Sequence, residues 1–247
     1  MGRAHEVRAA SMAKTAAAKS KLNAKWGKAI YVAAKSGVPD PDLNQTLKKE
    51  IEKAKKEQVT ADVIKRAIEK AKGGCDENYT PERYEGFGPA NSMWIVDCLS
   101  DNHNRTLTAV RTAFSRVGGN LGASGCVMHM FTFQSVFSFE GEDEEAVLDG
   151  LLEAGVEVDD IQMDDGVISV FAPNEAYQDV RDAIVKLYPD IEFLEDHVTY
   201  VPQTYTKLED ERDIQKYQRF MEMLNDCDDV QDIYNNIDPA TIPEDDE

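Results

Sequence analysis

The sequence predicts an α + α/β chain: a three-helix N-terminal bundle followed by two ferredoxin-like α/β lobes, one inserted into the other. Three observations carry this. Residues 1–72 hold three amphipathic helical stretches and no strand-like run. Beyond Gly74 the apolar pattern changes, and between Val136 and Tyr200 the order strand, helix, strand, strand, helix, strand is complete in itself. The stretch before that segment has only strand, helix, strand, and the missing half follows the segment. The expected boundaries are 1–80 for a basic helical domain, 81–133 with 202–238 for a split lobe, 134–201 for the inserted lobe and 239–247 for an acidic, disordered tail.

In the head, Ser20 is placed to cap a helix through Lys35, ended by Ser36-Gly37-Val38-Pro39. At about 100° per residue, Leu22, Trp26, Ala29, Ile30 and Ala33 share one face. Lys21, Lys25, Lys28 and Lys35 form a stripe about 80° wide beside it. Asp40-Pro41 reads as a cap followed by proline at the first helical position. The helix after it would turn Leu43, Leu47, Ile51 and Ala54 inward. Thr60 reads as the cap of a third helix with Val63, Ile64, Ala67, Ile68 and Ala71 apolar, closed by Gly73-Gly74.

In the split lobe, Met93–Cys98 reads as a strand, and Asn104 as the cap of a helix with Leu107, Val110, Ala113, Phe114 and Val117 inward. Gly118-Gly119-Asn120 stops it and Val127–Phe133 resumes strand character. The insert then has strands at Val136–Phe139, Val156–Met163, Val167–Ala172 and Ile191–Tyr200. Its helices are Glu144–Ala154, with Val147, Leu148, Leu151 and Leu152 inward, and Asn174–Leu187. Asp165-Gly166 is a hairpin signal. Thr204–Leu208, Glu211–Leu224 and Val230–Ile237 complete the split lobe as strand, helix and strand.

Charge divides the chain. Residues 1–72 carry 17 Lys and Arg against 8 Asp and Glu, and the remainder 10 against 39, which gives +9 and −29 within the overall −20. A basic head on an acidic body suits a head that meets a polyanion while the body is kept off it; the alternative is that the two parts neutralise each other. No run of 18 apolar residues exists, so no membrane span is expected. Met1-Gly2-Arg3-Ala4-His5-Glu6 has no apolar core of a secretory signal and puts Glu where a myristoylation signal needs Ser or Thr. Cys75, Cys98, Cys126 and Cys227 form no CxxC, which fits a reducing cytoplasm and opposes a disulfide framework or zinc site.

Enzyme signatures are missing, so no catalytic residue, metal or cofactor is expected. Gly118–Gly125 follows a helix, whereas a phosphate cradle follows a strand and opens a helix, so it reads as a mobile connecting loop. Asp159-Asp160 and Asp164-Asp165 read as solvated turns. His129 reads as packed within a strand, and Cys98 and Cys126 as buried in strands. The lysine stripe carries the directional message, since Lys beside a packing face can contact phosphates as point charges; a solvated helix face is the other reading. No aromatic RNA platform or base-reading helix-turn-helix pattern appears, so binding should be weakly sequence-selective. Asp101-Asn102-His103-Asn104-Arg105-Thr106 joins a strand to a helix start, either as an anion site with Arg105 or as plain capping by Asn102 or Asn104.

These residues, taken together, resemble the YebC/PmpR family of bacterial regulatory proteins, which has a mitochondrial translational-activator branch. The motifs are Met1-Gly2-Arg3-Ala4-His5, Ala33-Ala34-Lys35, Pro39-Asp40-Pro41-Asp42-Leu43-Asn44 and Ile51-Glu52-Lys53-Ala54-Lys55. They continue with Ile68–Gly73, Arg83-Tyr84-Glu85-Gly86-Phe87-Gly88-Pro89, Asp101–Thr106 and Gly118–Gly122 with Ser124-Gly125. The resemblance runs to about residue 238 and departs at Glu6–Lys14. It implies a non-enzymatic regulator of gene expression, a DNA-binding transcriptional regulator, or else a translation factor on the ribosome and its RNA that relieves stalling. On either reading Arg3, His5, Arg8, Lys14, Lys21, Lys25, Lys28, Lys35 and Arg105 are the expected nucleic-acid contacts, with no small-molecule substrate. Replacing Lys21, Lys25 and Lys28 together is expected to weaken binding and leave the fold intact.

Overall fold

The computed structural model describes residues 19, 21–73, 78–164 and 166–242. Ser20, Gly74, Cys75, Asp165 and the residues from Pro243 on lie outside them, as do Arg3, His5, Arg8 and Lys14. The chain divides into two compact units, one running up to Cys126 and resuming at Thr206, the other Val127–Tyr205.

The head consists of α1 (residues 21–35), α2 (Gln45–Lys56) and α3 (Ala61–Lys72). Trp26, Ile30, Tyr31, Leu47, Ile51, Val59 and Ile64 build its core, and the Trp26 indole donates to Glu57 Oε2 at 2.8 Å. α2 begins later than Asp40-Pro41 suggests, and Leu43 is exposed rather than inward. The reason is Asn44. Its Oδ1 caps Leu47 N at 3.0 Å, while its Nδ2 donates to Ala33 O and Val38 O, tying the end of α1 to the start of α2. Thr60 occupies the cap position of α3 without a side-chain bond.

The same unit continues into β1 (Thr80–Phe87), β2 (Met93–Ser100), α4 (His103–Arg116) and β3 (Asn120–Leu121). After the second unit come α7 (Glu211–Asn225) and β8 (Val230–Asn235). The sheet order is β3-β1-β2-β8, every neighbour antiparallel. β1 was not legible in sequence, and it takes the place expected for Thr204–Leu208, of which only a single parallel bridge, Thr206 to Ile237, exists. Gly86 lets the strands close: a Cβ there would lie 2.5 Å from Asn120 O and 2.8 Å from Phe114 Cε1. Trp94, Phe114 and Phe220 are the centre of the core, with ring centroids 4.6 and 4.8 Å apart around Phe220.

The second unit has β4 (Phe131–Glu140), α5 (Glu144–Glu153), β5 (Asp160–Asp164), β6 (Val167–Pro173), α6 (Tyr177–Leu187) and β7 (Phe193–Pro202). The antiparallel order β5-β6-β4-β7 is the ferredoxin-like arrangement. Phe137, Phe139, Val147, Leu151, Val170 and Ile184 fill its core. Two expectations fail here. Val127–Phe133 and Val136–Phe139 are not two strands, because Gln134 and Ser135 stay paired and buried Ser135 donates to Pro173 O. Leu148 and Leu152 face solvent, since Val147 and Leu151 alone meet the sheet. Of the expected tail, residues 239–242 are described and are not disordered: Pro239–Thr241 form a 3₁₀ turn capped by Asp238, and Thr241 Oγ1 accepts from Leu208 N.

Candidate nucleic-acid interface

The lysine stripe of α1 faces the chain's own carboxylates. Lys21 pairs with Asp226, Lys25 with Asp232 at 3.3 Å, and Lys28 with Asp229 at 2.8 Å and the Asp228 carbonyl at 2.9 Å. All four acidic positions lie between the end of α7 and the middle of β8. Mutual neutralisation of head and body, one of the two readings of the charge split, is thus realised at these three lysines. Lys35 is exposed, its ammonium 5.6 Å from the centre of the Tyr31 ring.

Asp229 is the hub. Its side chain is 3% exposed, and Oδ2 accepts from Arg105 Nη2 at 2.7 Å, Thr106 Oγ1 at 2.8 Å and Ser100 Oγ at 3.2 Å, while Oδ1 takes Lys28. Burial by itself would raise its pKa, but Lys28, Arg105 and Thr106 outweigh that and hold it at about 2. Arg105 is held charged chiefly by Asp229 and then by Asp101, which it meets at 2.8 Å. Asn102, not Asn104, caps α4 by accepting from Arg105 N at 3.1 Å. The start of α4 therefore has both plain capping and an anion nearby, and the anion is the protein's own.

The glycine-rich segment is anchored. β3 pairs with β1, Gly122 N donates to Glu85 O at 2.8 Å, and Gly125 N donates to the buried Glu85 carboxylate at 2.6 Å. A Cβ on Gly119 would lie 2.3 Å from Phe87 O, so the glycines serve close packing. His129 is exposed in a 3₁₀ turn (Met128–Met130) rather than packed in a strand, because β4 starts only at Phe131. Cys126 is half-buried in the loop before it, while Cys98 is buried in β2 and burial pushes its thiol pKa up. Among the described residues no three His, Cys, Asp or Glu side chains cluster to hold a metal, and no helix is long and apolar enough to cross a membrane.

Sequence reasoning missed the acceptors. Asp226, Asp228, Asp229 and Asp232 are themselves a visible signal, four acids in seven residues. It placed Lys48, Lys49, Lys53, Lys55 and Lys56 off the apolar face of the second helix but did not take the outer faces of α2 and α3 as contacts. There the Lys48, Lys49, Lys55 and Lys72 side chains are exposed and make no hydrogen bond or ion pair among the described residues.

Two family models cover nearly the whole chain: the TACO1/YebC protein N-terminal domain matches residues 3–74, and the TACO1/YebC second and third domain matches residues 79–237. The chain belongs to the TACO1/YebC family. Among TACO1/YebC relatives, a probable transcriptional regulatory protein of Alteromonas mediterranea is 54% identical over 236 residues, covering 96% of this chain and 98% of its own. Proteins of the same description from Pseudoalteromonas translucida and Vibrio cholerae are 53% and 52% identical, each over 96% of this chain and 98% and 99% of their own. The crystal structure of a conserved hypothetical protein from Aquifex aeolicus superposes with a TM-score of 0.71 at 33% identity, over 92% of this chain and 91% of that one. The TACO1/YebC fold is thus the one described above, a helical head and two four-stranded antiparallel lobes.

Proposed function

We propose that this TACO1/YebC chain is a non-enzymatic, cytoplasmic regulator of gene expression that binds DNA through its head. The observation that carries this reading is the charge left uncompensated there: the Lys48, Lys49, Lys55 and Lys72 side chains stand exposed without partners among the described residues, on a head of net charge +9, while the rest of the chain is acidic. The descriptions of its relatives as probable transcriptional regulatory proteins agree with it. Phosphates would meet these four lysines first. Lys21 and Lys25, in exposed pairs, exchange a carboxylate for a phosphate at little cost, because surface ion pairs contribute about 0–1 kcal/mol. Lys28 and Arg105 stay with buried Asp229. In this proposal Arg3, His5, Arg8, Lys14 and Lys35 contribute further positive charge from the head's sequence.

The test compares DNA retention with ribosome co-sedimentation at matched physiological salt. Lys48→Glu, Lys49→Glu, Lys55→Glu and Lys72→Glu together should abolish DNA retention, and each single change should flatten the logarithmic salt dependence by about 0.9. Unchanged affinity and salt slope in the fourfold variant would remove the head from the role. Ribosome association without DNA retention would replace this reading with that of a translation factor.

A further inference from the structure

The unit Val127–Tyr205 has 19 Asp and Glu against two basic residues, Arg181 and Lys186, a net charge of −17. Arg181 is spoken for, bonded to Asp196 at 3.1 Å with its guanidinium 5.6 Å from the Phe193 ring. A surface of this sign repels phosphate chains and attracts cations. Charge alone defines no site, but one place in this unit combines it with exposed apolar area.

Where β4 turns into α5 and α6 turns into β7, a groove of about 820 Å³ opens. Phe139 and Ile168 form its buried floor, with the Tyr188 ring centroid 6.1 Å from that of Phe139. Its wall is apolar and open to solvent: Leu187 is 40%, Tyr188 38% and Leu194 60% exposed. Its rim holds Glu140, Glu142, Asp143, Asp190 and Glu192, and no Lys, Arg or His lines it. Asp143 is used in capping Ala146 N. The other four carboxylates are exposed and make no hydrogen bond or ion pair among the described residues. Three large apolar side chains exposed on one wall and rimmed by polar groups mark an interaction surface, and the four carboxylates beside them set its sign.

We infer that this groove is the docking site of a basic protein segment, one that sets apolar anchors against Leu187, Tyr188 and Leu194 and lays Lys or Arg along the carboxylate rim. The complementarity assigns the occupant: apolar area supplies the anchor pocket, and the rim steers and orients a cation-bearing chain. The regulator would then have two faces of opposite sign, one for a polyanion and one for a polycationic protein.

The probe is a fluorescein-labelled helical peptide of Leu and Lys, with its Glu-for-Lys counterpart and polylysine as controls, titrated into the full chain. Leu187→Ser with Leu194→Ser should weaken the Leu/Lys peptide about tenfold, a loss of about 1.4 kcal/mol, and leave polylysine unchanged. Glu142→Lys, Asp190→Lys and Glu192→Lys together should abolish peptide binding. Asp149→Lys, Glu153→Lys and Asp164→Lys make the same change in net charge away from the groove and should reduce binding less than about threefold. Both Leu and Glu/Asp variants lie on exposed positions, and circular dichroism melting confirms that each remains folded. Equal losses from the two charge triples, or a Leu double variant that binds like the parent, would overturn the proposal. So would self-association abolished by the groove triple, which would make a second copy the occupant. A tenfold gain in peptide affinity on deleting residues 1–18 would assign the groove to the chain's own basic segment and overturn it as well.

Discussion

The two four-stranded sheets have the same layout but are held together differently. In the insert, β4, α5, β5, β6, α6 and β7 follow one another in sequence, and the apolar core on one sheet face is joined by polar contacts between consecutive elements, Asp196 of β7 with Tyr177 and Arg181 of α6. In the split lobe, the order β3-β1-β2-β8 matches β5-β6-β4-β7 position for position, yet α7 and β8 reach it only after the whole insert. There the apolar cluster around Trp94, Phe114 and Phe220 is supplemented by buried polar ties: Asp229 to Lys28, Arg105, Thr106 and Ser100, and Glu85 to Gly125. The difference teaches that pattern suffices where a lobe is one uninterrupted stretch of chain. Distant segments need partners that fix one register, and hydrogen-bonded charges do that because any other alignment leaves them buried and unpaired.

The largest effects should come from the shared apolar part of each lobe. Trp94→Ala should cost about 4 kcal/mol and strip hydrogen-exchange protection from β1, β2 and α7; Phe137→Ala should cost a similar amount and act on β4, β6 and β7. Should either substitution deprotect both lobes equally, the contrast between them fails.

Next comes the polar tie. Asp229→Ala removes the shared partner of Lys28 and Arg105 and should cost about 3 kcal/mol, with α1 losing protection ahead of the sheet. The same hub gives a pH signature. The Asp229 pKa in the folded state, about 2, lies below its ordinary value. Its stabilisation is therefore full above about pH 4 and is lost as pH falls toward 2, amounting to about 2 kcal/mol. Urea midpoints measured between pH 5 and pH 2 should fall less steeply in Asp229→Asn than in the parent. Parallel curves would show that the hub is not the acid-sensitive contact.

The smallest effects belong to the exposed pairs. Lys25→Ala should change stability by about 0.5 kcal/mol, and less at high salt, and Lys21→Ala by less still, whereas Lys28→Glu should destabilise by several times the Lys25 effect because it sets a second carboxylate against Asp229. Thermal melts of the three variants would grade the stripe from solvated to structural. The expectation that all three lysines can be reversed without harm to the fold holds at most for the first two.

By itself the sequence determined the insert, the helices and the separation of charge. The alternation in β6, the helical period of α4 and α7 and the Asp-Gly turn signal are local properties, readable without knowing what each segment packs against. It also showed that lysines share a stripe on the first helix, since that needs only the helical repeat. What those lysines face was decided by tertiary structure. Asp226, Asp229 and Asp232 lie some two hundred residues away, and no periodicity encodes a meeting at that distance. The same holds for β1. Pro81, Glu82, Glu85 and Gly86 dilute its strand character, and the last two are there for a non-local reason. Glu85 is buried because Gly125 donates to it, and Gly86 is small because Asn120 and Phe114 press against it. A residue chosen for a distant partner carries no local pattern, and the fold alone reveals what it is for.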